Sequence, residues 1–162
     1  MSGPSKDFVL DPGTSGFIAT PFNLMTTELN SLVNTDSALS SVGGSSGVFS
    51  QSNFDNELLY EVYFQAGGTI SSISVGGCLT GWWCKSTDGG TTFEKTVSNT
   101  AFPRPPDLII PLDASYSSSD IRFGILAPCP WPSAKLFVIN NSGQTLPSSG
   151  NKIVAAPVGW GY

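Results

Sequence analysis

Apolar and polar residues alternate with a period of two in several short segments after residue 57, most clearly in 58–65 and 121–125. Such alternation predicts strands with one buried face, and clusters of Gly, Pro and Asn separate them. About eight short strands joined by turns are typical of an antiparallel β-sandwich or jelly roll. The predicted fold class is therefore all-β.

The richest aromatic segment is a predicted hairpin at 78–94. Trp82 and Trp83 point to opposite faces of its first strand because side chains alternate along a strand. An Asp-Gly-Gly turn at 88–90 supplies positive φ values, and Thr91 begins the predicted return strand. Two adjacent indoles are costly to expose, so we expect the domain core to cover one face. The N-terminal segment or another chain would cover the other face.

The first 56 residues have a different pattern, rich in Ser, Gly and Asn with isolated apolar anchors. They are predicted to form an extended arm, 1–56, which precedes a β-sandwich domain, 57–162. One apolar stripe at helical spacing predicts a short helix over 21–33, with Thr20 as its N-cap. In the alternative interpretation, the arm packs on its own domain as extra strands.

Charge and hydropathy argue against two classes of partner. The net charge is −5, and the seven basic residues are scattered along the sequence. Nucleic-acid binding needs a basic cluster to neutralise phosphates, so neither nucleic acid nor an anionic membrane is an expected partner. No apolar run has the length of a membrane span or the position of a secretory signal, which predicts synthesis in the cytoplasm.

The chemistry available to this chain is also restricted. The sequence has no histidine, which excludes Ser-His-Asp and Cys-His nucleophilic sites. This absence argues against a small hydrolase. We predict no catalytic residue, no metal site and no cofactor. Cys78 and Cys84 are too far apart along one strand to bridge, so free thiols are expected. A bridge from Cys129 to either of them stays open.

Residues 86–93 resemble the Asp-box, a hairpin turn of sialidase-type propellers, with Phe93 in place of the usual Trp. The box is a structural turn and not an active site in that family. The resemblance implies that Asp88 braces the turn by accepting hydrogen bonds from backbone N–H groups. A single copy cannot build a propeller.

Three longer segments, 81–94, 103–112 and 136–151, resemble small phage virion structural proteins of the head decoration, or cement, type. The resemblance covers about residues 57–157. It implies a non-enzymatic jelly-roll module on the outer surface of a phage head. Its expected partners are the major capsid protein and further copies of itself, as a dimer or trimer.

This interpretation places the assembly interface on apolar residues of the arm and aromatic residues near position 162. The candidate residues are Phe8, Phe17, Phe22, Met25, Leu29, Trp160 and Tyr162.

The alternative function is a tail-fibre or baseplate module that binds carbohydrate on the host surface, because aromatic rings stack on sugar faces. The candidate rings are Trp82, Trp83, Tyr116, Trp131, Trp160 and Tyr162.

Overall fold

The computed structural model describes residues 22–40, 49–50, 59–94, 102–117, 120–124, 127–128 and 133–157. These ranges contain strands and one 3-10 helix, Thr27–Leu29. The strands are β1 Phe22–Met25, β2 Ser37–Leu39, β3 Phe49–Ser50, β4 Leu59–Gln65, β5 Ile70–Ser71, β6 Cys78–Ser86, β7 Leu108–Pro111, β8 Ser115–Tyr116, β9 Ile121–Phe123, β10 Ala127–Pro128, β11 Ser133–Asn141 and β12 Lys152–Pro157. All of their pairings are antiparallel, so the all-β prediction is confirmed.

The strands form two five-stranded sheets and a small two-stranded one. The first sheet has the order β1-β12-β4-β10, and β9 also pairs with β4. The second sheet has the order β2-β11-β6-β7, and β3 pairs with the start of β11. Strands β5 and β8 form the small sheet.

The chain changes sheet repeatedly as it passes through these strands. It crosses from the first sheet to the second between β1 and β2, between β4 and β6, and between β10 and β11. It returns between β3 and β4, between β7 and β9, and between β11 and β12. Among the described strands, only β6 and β7 are consecutive along the chain and pair directly with each other. Most of the ladder contacts therefore join residues that are distant in sequence.

The main core is built by both large sheets. Val62, Phe64 and Ile153 from the first sheet belong to the same buried cluster as Leu136 and Leu108 from the second. Alternate residues of these strands face this cluster, as the period of two predicts. Burial of these apolar side chains is the principal source of stability for the sheets.

The predicted helix over 21–33 is wrong in its described part. Phe22–Met25 is a strand that pairs with β12, and only Thr27–Leu29 makes a short 3-10 turn. Met25, Leu29 and Leu32 of the apolar stripe are still buried, but a strand, a turn and a loop bring them into the core. A helix here would leave the outer edge of β12 without hydrogen-bond partners, which is costly for a sheet.

Residues 22–40 contribute β1 and β2, which are outer strands of the two large sheets. This agrees with the alternative in which part of the arm packs on its own domain as extra strands. Residues 1–21 and 41–48 lie outside the described ranges.

The predicted hairpin at 78–94 is half right. Strand β6 is present, but residues 91–94 do not form a strand, and a hydrogen bond from the Glu94 N–H to the Lys85 carbonyl closes the turn. Side-chain hydrogen bonds hold the backbone N–H groups of this turn, and so the ladder does not continue through them.

Both indoles of β6 are covered by the chain itself. Trp83 lies in the main core. Trp82 lies on the opposite face in a second buried cluster. The other members of this cluster are Cys84, Phe93, Phe102, Phe137 and Ile139, with Leu39 packed against it.

Cys78 and Cys84 are not bridged to each other, as the distance argument predicts. Cys129 lies outside the described residues.

Candidate functional site

Four connections meet at one end of the two large sheets. They are residues 26–36, 66–77, 112–120 and 142–151, and we call this end of the molecule the connection end. The described residues of these connections exchange backbone hydrogen bonds directly. Ser31 donates to the Pro147 carbonyl at 2.9 Å, and Leu146 donates to the Leu32 carbonyl at 3.0 Å. A further bond of 2.9 Å joins the Ser74 N–H to the Ser142 carbonyl.

Asn140 is one of two buried asparagines whose side chains form hydrogen bonds with the backbone of the connections. Its amide nitrogen donates to the carbonyl oxygens of Leu32 and Gln144, at 2.9 and 2.7 Å. Its Oδ1 accepts from the Ser142 N–H at 3.0 Å. One side chain therefore holds two connections together, although Asn140 belongs to β11.

Asn151 plays the same part beside the start of β12. Its Oδ1 accepts from the Gly67 N–H at 3.1 Å, and its amide donates to the Pro147 carbonyl at 2.6 Å. The same amide lies 3.1 Å from Asn30 Oδ1. Three connections are therefore joined through one buried amide, and sequence reasoning missed both asparagines because each also fits an ordinary turn signal.

Tyr116 fastens the connection 112–120. Its side chain is fully buried, and its hydroxyl lies 2.8 Å from the Phe64 carbonyl oxygen and 2.7 Å from that of Asp120. Burial is the main cause that raises the pKa of Tyr116 from 10.0 to about 12. The neutral phenol is therefore the form that the fold stabilises.

The connection end carries strained backbone at three residues. Ser31, Thr35 and Ser72 have positive φ values of 56°, 70° and 60°. Residues other than glycine rarely adopt positive φ values, so the surrounding hydrogen bonds must hold the backbone of these three residues in this conformation. Val75 is fully exposed in the connection 66–77, and Val33 is half exposed in 26–36.

The chain enters and leaves the sheets at the opposite end, which we call the entry end. Phe22, the first residue of β1, pairs with Ala155, and Pro157 at the end of β12 pairs with Tyr60. β6 and β11 also run to this end, where Ser86 pairs with Ser133. The two ends therefore differ in structure, because all four braced connections lie at the connection end and the chain enters and leaves the sheets at the entry end.

Asp88 braces the turn after β6. Its Oδ1 accepts from the N–H groups of Thr92 at 2.8 Å and Thr91 at 3.1 Å, and from the Ser86 hydroxyl at 2.7 Å. These hydrogen bonds, with the Thr92 N–H first, lower the pKa of Asp88 to about 2. Asp88 therefore braces this turn and lies on the surface.

Arg104 and Asp107 form an ion pair beside the second half of β6, which we call the Arg104–Asp107 pair. The Arg104 guanidinium is 2.7 Å from Asp107 Oδ2 and also donates to the Trp83 carbonyl at 2.9 Å. Asp107 Oδ2 accepts from the Trp83 N–H at 2.8 Å. The sequence predicts no role for either residue, so the pair is a finding of the structure.

The structure describes the side chains of two of the predicted assembly residues. Met25 and Leu29 are fully buried in the main core of their own chain, so their prediction as interface residues is wrong. An apolar stripe at this spacing fits an internal core as well as a surface contact. Phe22 begins β1, but its side chain lies outside the description, as do Phe8, Phe17, Trp160 and Tyr162.

The predicted sugar platform is also incomplete. Trp82 and Trp83 are 5% and 4% exposed and Tyr116 is fully buried, so none of the three offers a ring face to a sugar. Trp131, Trp160 and Tyr162 are outside the described ranges. Among the described residues, no group of three His, Cys, Asp or Glu side chains is arranged to hold a metal ion.

No helix within the described part of the chain has the length and apolar character needed to cross a membrane. Comparison with known proteins gives no match to a family model, to a curated protein or to a solved structure.

Proposed function

We propose that this chain is a non-enzymatic structural protein of a bacteriophage virion, a jelly-roll decoration protein on the outside of the head. It would bind the major capsid protein and further copies of itself, and it would stabilise the contacts between capsomers. The proposal joins the resemblance in the sequence to one structural observation, the order of the strands.

The strand order supports the jelly-roll part of the proposal. Eight strands lie as β1-β12-β4-β9 and β2-β11-β6-β7, with β10 continuing the β9 side of β4. A jelly roll folds a long antiparallel ribbon over itself, which sets early strands beside late ones in two sheets. The pairs β1–β12 and β2–β11 have this relation, and both central pairs, β4–β12 and β6–β11, follow from it.

The entry end supports the way in which such a protein would attach. An arm that precedes β1 leaves the sheets beside Ala155, and a segment that follows β12 leaves them next to Tyr60. Two attachments at one end could reach across a joint between capsomers, while the connection end faces outward.

The burial of the aromatic side chains favours head decoration over the glycan-binding alternative. Trp82, Trp83 and Tyr116, three of the six rings proposed for sugar, are buried in the protein's own clusters. They contribute to a stiff domain, since aromatic burial dominates core energetics.

The copy number of the chain in purified particles tests the proposal. The chain is quantified against the major capsid protein by mass spectrometry, with a known tail protein as the internal control. Decoration predicts a simple whole-number ratio to the capsid subunit. Copy numbers like those of the tail protein would support the tail alternative, and absence from the particle would reject the virion proposal.

A further inference from the structure

Asp88 and Gly89 form the only Asp-Gly dipeptide in the sequence, and they lie in the turn after β6. The Asp88 side chain is exposed. Gly89 has a positive φ of 73°, and a Cβ built on it would meet no atom within 4 Å. Because glycine has no side chain, it does not shield its own backbone nitrogen from the neighbouring Asp88 carboxyl carbon. This turn therefore holds both groups that form a succinimide.

Succinimide formation joins these two groups directly. The Gly89 nitrogen attacks Cγ of the protonated Asp88 carboxyl and loses its proton, and a carboxyl oxygen leaves as water. The new C–N bond closes an imide ring. Water then opens the ring at either carbonyl, which returns aspartate or gives isoaspartate. The water that is lost is regained, so the mass does not change and no other reactant is needed.

The folded turn opposes ring closure through the hydrogen bonds of Asp88. Its Oδ1 accepts from the Thr92 N–H at 2.8 Å, from the Thr91 N–H at 3.1 Å and from the Ser86 hydroxyl at 2.7 Å. In the imide this oxygen is either a neutral carbonyl or has left as water, so these charge-assisted bonds are weakened or broken. The same bonds lower the pKa of Asp88 to about 2, which makes the protonated, reactive carboxyl rare.

Ser86 fixes the dipeptide to the second sheet. Its hydroxyl oxygen accepts from the Gly90 N–H at 2.9 Å while it donates to Asp88 Oδ1. Ser86 is buried at the end of β6, where it pairs with Ser133 of β11. Residues on both sides of Gly89 are therefore held, and the imide forms only when these bonds break.

We infer that Asp88-Gly89 is a modification site at which the backbone isomerises to isoaspartate when the turn opens, and that the hydrogen bonds of the folded turn keep this site unreactive. Isoaspartate carries the main chain through Cβ, and its free carboxylate is attached to Cα. The native bonds to the threonine N–H groups are then lost, and the turn loses its brace. The class of enzyme that accepts this product is an isoaspartyl carboxyl methyltransferase. This inference rests on the turn alone and does not depend on a position in a virion.

The first experiment compares the folded and the unfolded protein. The full chain is incubated in buffer and in concentrated guanidinium chloride, at one temperature and at one pH well above 3.8. Isoaspartate at position 88 is measured by electron-transfer fragmentation of the peptide that contains it. We expect it to accumulate about tenfold faster or more in the unfolded chain, because each unit by which the pKa rises makes the protonated carboxyl tenfold more abundant. Equal rates in the two conditions would overturn the inference.

A variant tests the hydrogen bonds within the folded protein. Ser86→Ala removes the hydroxyl that bonds to Asp88 and Gly90, so isoaspartate should form about fivefold faster than in the folded wild-type protein, the effect of one lost hydrogen bond. Ser148→Ala is the matched control, because Ser148 is an exposed serine at the connection end, and it should keep the wild-type rate. A wild-type rate in Ser86→Ala would contradict the inference. If this variant does not fold, the comparison of the folded and unfolded wild-type protein decides alone.

A second variant identifies the nucleophile. Gly89→Ala places a methyl group beside the attacking nitrogen, and it is measured in the unfolded chain, where the positive φ of Gly89 imposes no strain. Isoaspartate at position 88 should form about threefold more slowly or less than in the unfolded wild-type chain. An unchanged rate, or isoaspartate formed mainly at another aspartate, would reject Asp88-Gly89 as the site.

Discussion

Asn140 and Asn141 are adjacent asparagines with opposite surroundings. Asn140 is fully buried with three hydrogen bonds to backbone groups, whereas Asn141 is exposed and bonds to the Thr80 hydroxyl at 2.9 Å. We expect Asn140→Ala to lower the free energy of unfolding by about 2–4 kcal/mol, because it leaves buried backbone groups unsatisfied. Asn141→Ala should cost less than about 0.5 kcal/mol. Urea denaturation measures both, and equal losses would contradict the bracing role of Asn140.

Asp88 makes the turn after β6 sensitive to acid. Its pKa is lowered from 3.8 to about 2, so the ionised form is stabilised in the fold. The contribution of this residue to stability is therefore present above pH 3.8 and is lost as the pH falls through about 2.

An NMR titration of the Thr91 and Thr92 amide shifts should follow the low midpoint of Asp88. In Asp88→Asn these shifts should not change over the same range. A midpoint at the ordinary value for aspartate would show that the hydrogen bonds to Asp88 do not stabilise its ionised form.

Tyr116 gives a response at the other end of the pH scale. Its pKa is raised from 10.0 to about 12, so the neutral phenol is stabilised in the fold. The contribution of Tyr116 to stability is therefore fully present below pH 10 and is lost as the pH rises towards 12. Tyr116→Phe should lower the free energy of unfolding by about 1–2 kcal/mol at neutral pH, since the hydroxyl bonds are lost. The variant should also lose less stability than the wild-type protein between pH 10 and 12. Parallel alkaline curves for the two proteins would contradict this.

At the scale of elements, the sequence predicts the central strands well. The alternation in 58–65 becomes β4, and the apolar segments before and after the turn at 142–151 become β11 and β12. In β4 buried and partly exposed residues alternate as the period of two predicts, whereas β11 and β12 have buried residues on both faces. The helix over 21–33 fails because an apolar spacing of three and four residues also occurs when a strand, a 3-10 turn and a loop each bury one residue.

The contact between the connections 66–77 and 142–151 needs a residue without a side chain. A Cβ on Gly67 would lie 1.8 Å from the Ser149 carbonyl oxygen and 2.6 Å from the Gly150 Cα, both backbone atoms. We expect Gly67→Ala to cost about 3 kcal/mol or more, since the backbones would have to separate.

Gly68→Ala is the matched control for this contact. Its Cβ would meet only the Pro147 side chain, at 3.6 Å, so a change below about 0.5 kcal/mol is expected. Thermal unfolding compares the two variants. A stable Gly67→Ala protein would mean that the two connections are not in close contact.

At the scale of the whole molecule, the order of the strands cannot be obtained from the sequence pattern. The alternation shows which face of a strand is buried, but the partners β1 and β12 are more than a hundred residues apart. The roles of the buried asparagines and of the Arg104–Asp107 pair cannot be predicted from the sequence either, because a polar residue beside a turn signal is usually solvated. Only the folded chain shows that these residues join segments from different parts of the sequence.

Val75 stands at the tip of a connection that the rest of the molecule holds in place. It is fully exposed, and a Cβ on the following Gly76 would meet no atom within 4 Å. The protein should therefore still fold when a foreign peptide is inserted between these two residues, because doubling the length of a surface loop costs only about 0.6 kcal/mol.

An insertion between Ala66 and Gly67, where the backbones are in contact, serves as the control and should abolish folding. If an insertion after Val75 also abolishes folding, this connection does not tolerate a longer loop. With the entry end used for attachment, the same tip would present the peptide on the side of the protein that faces away from its anchor, as a display scaffold requires.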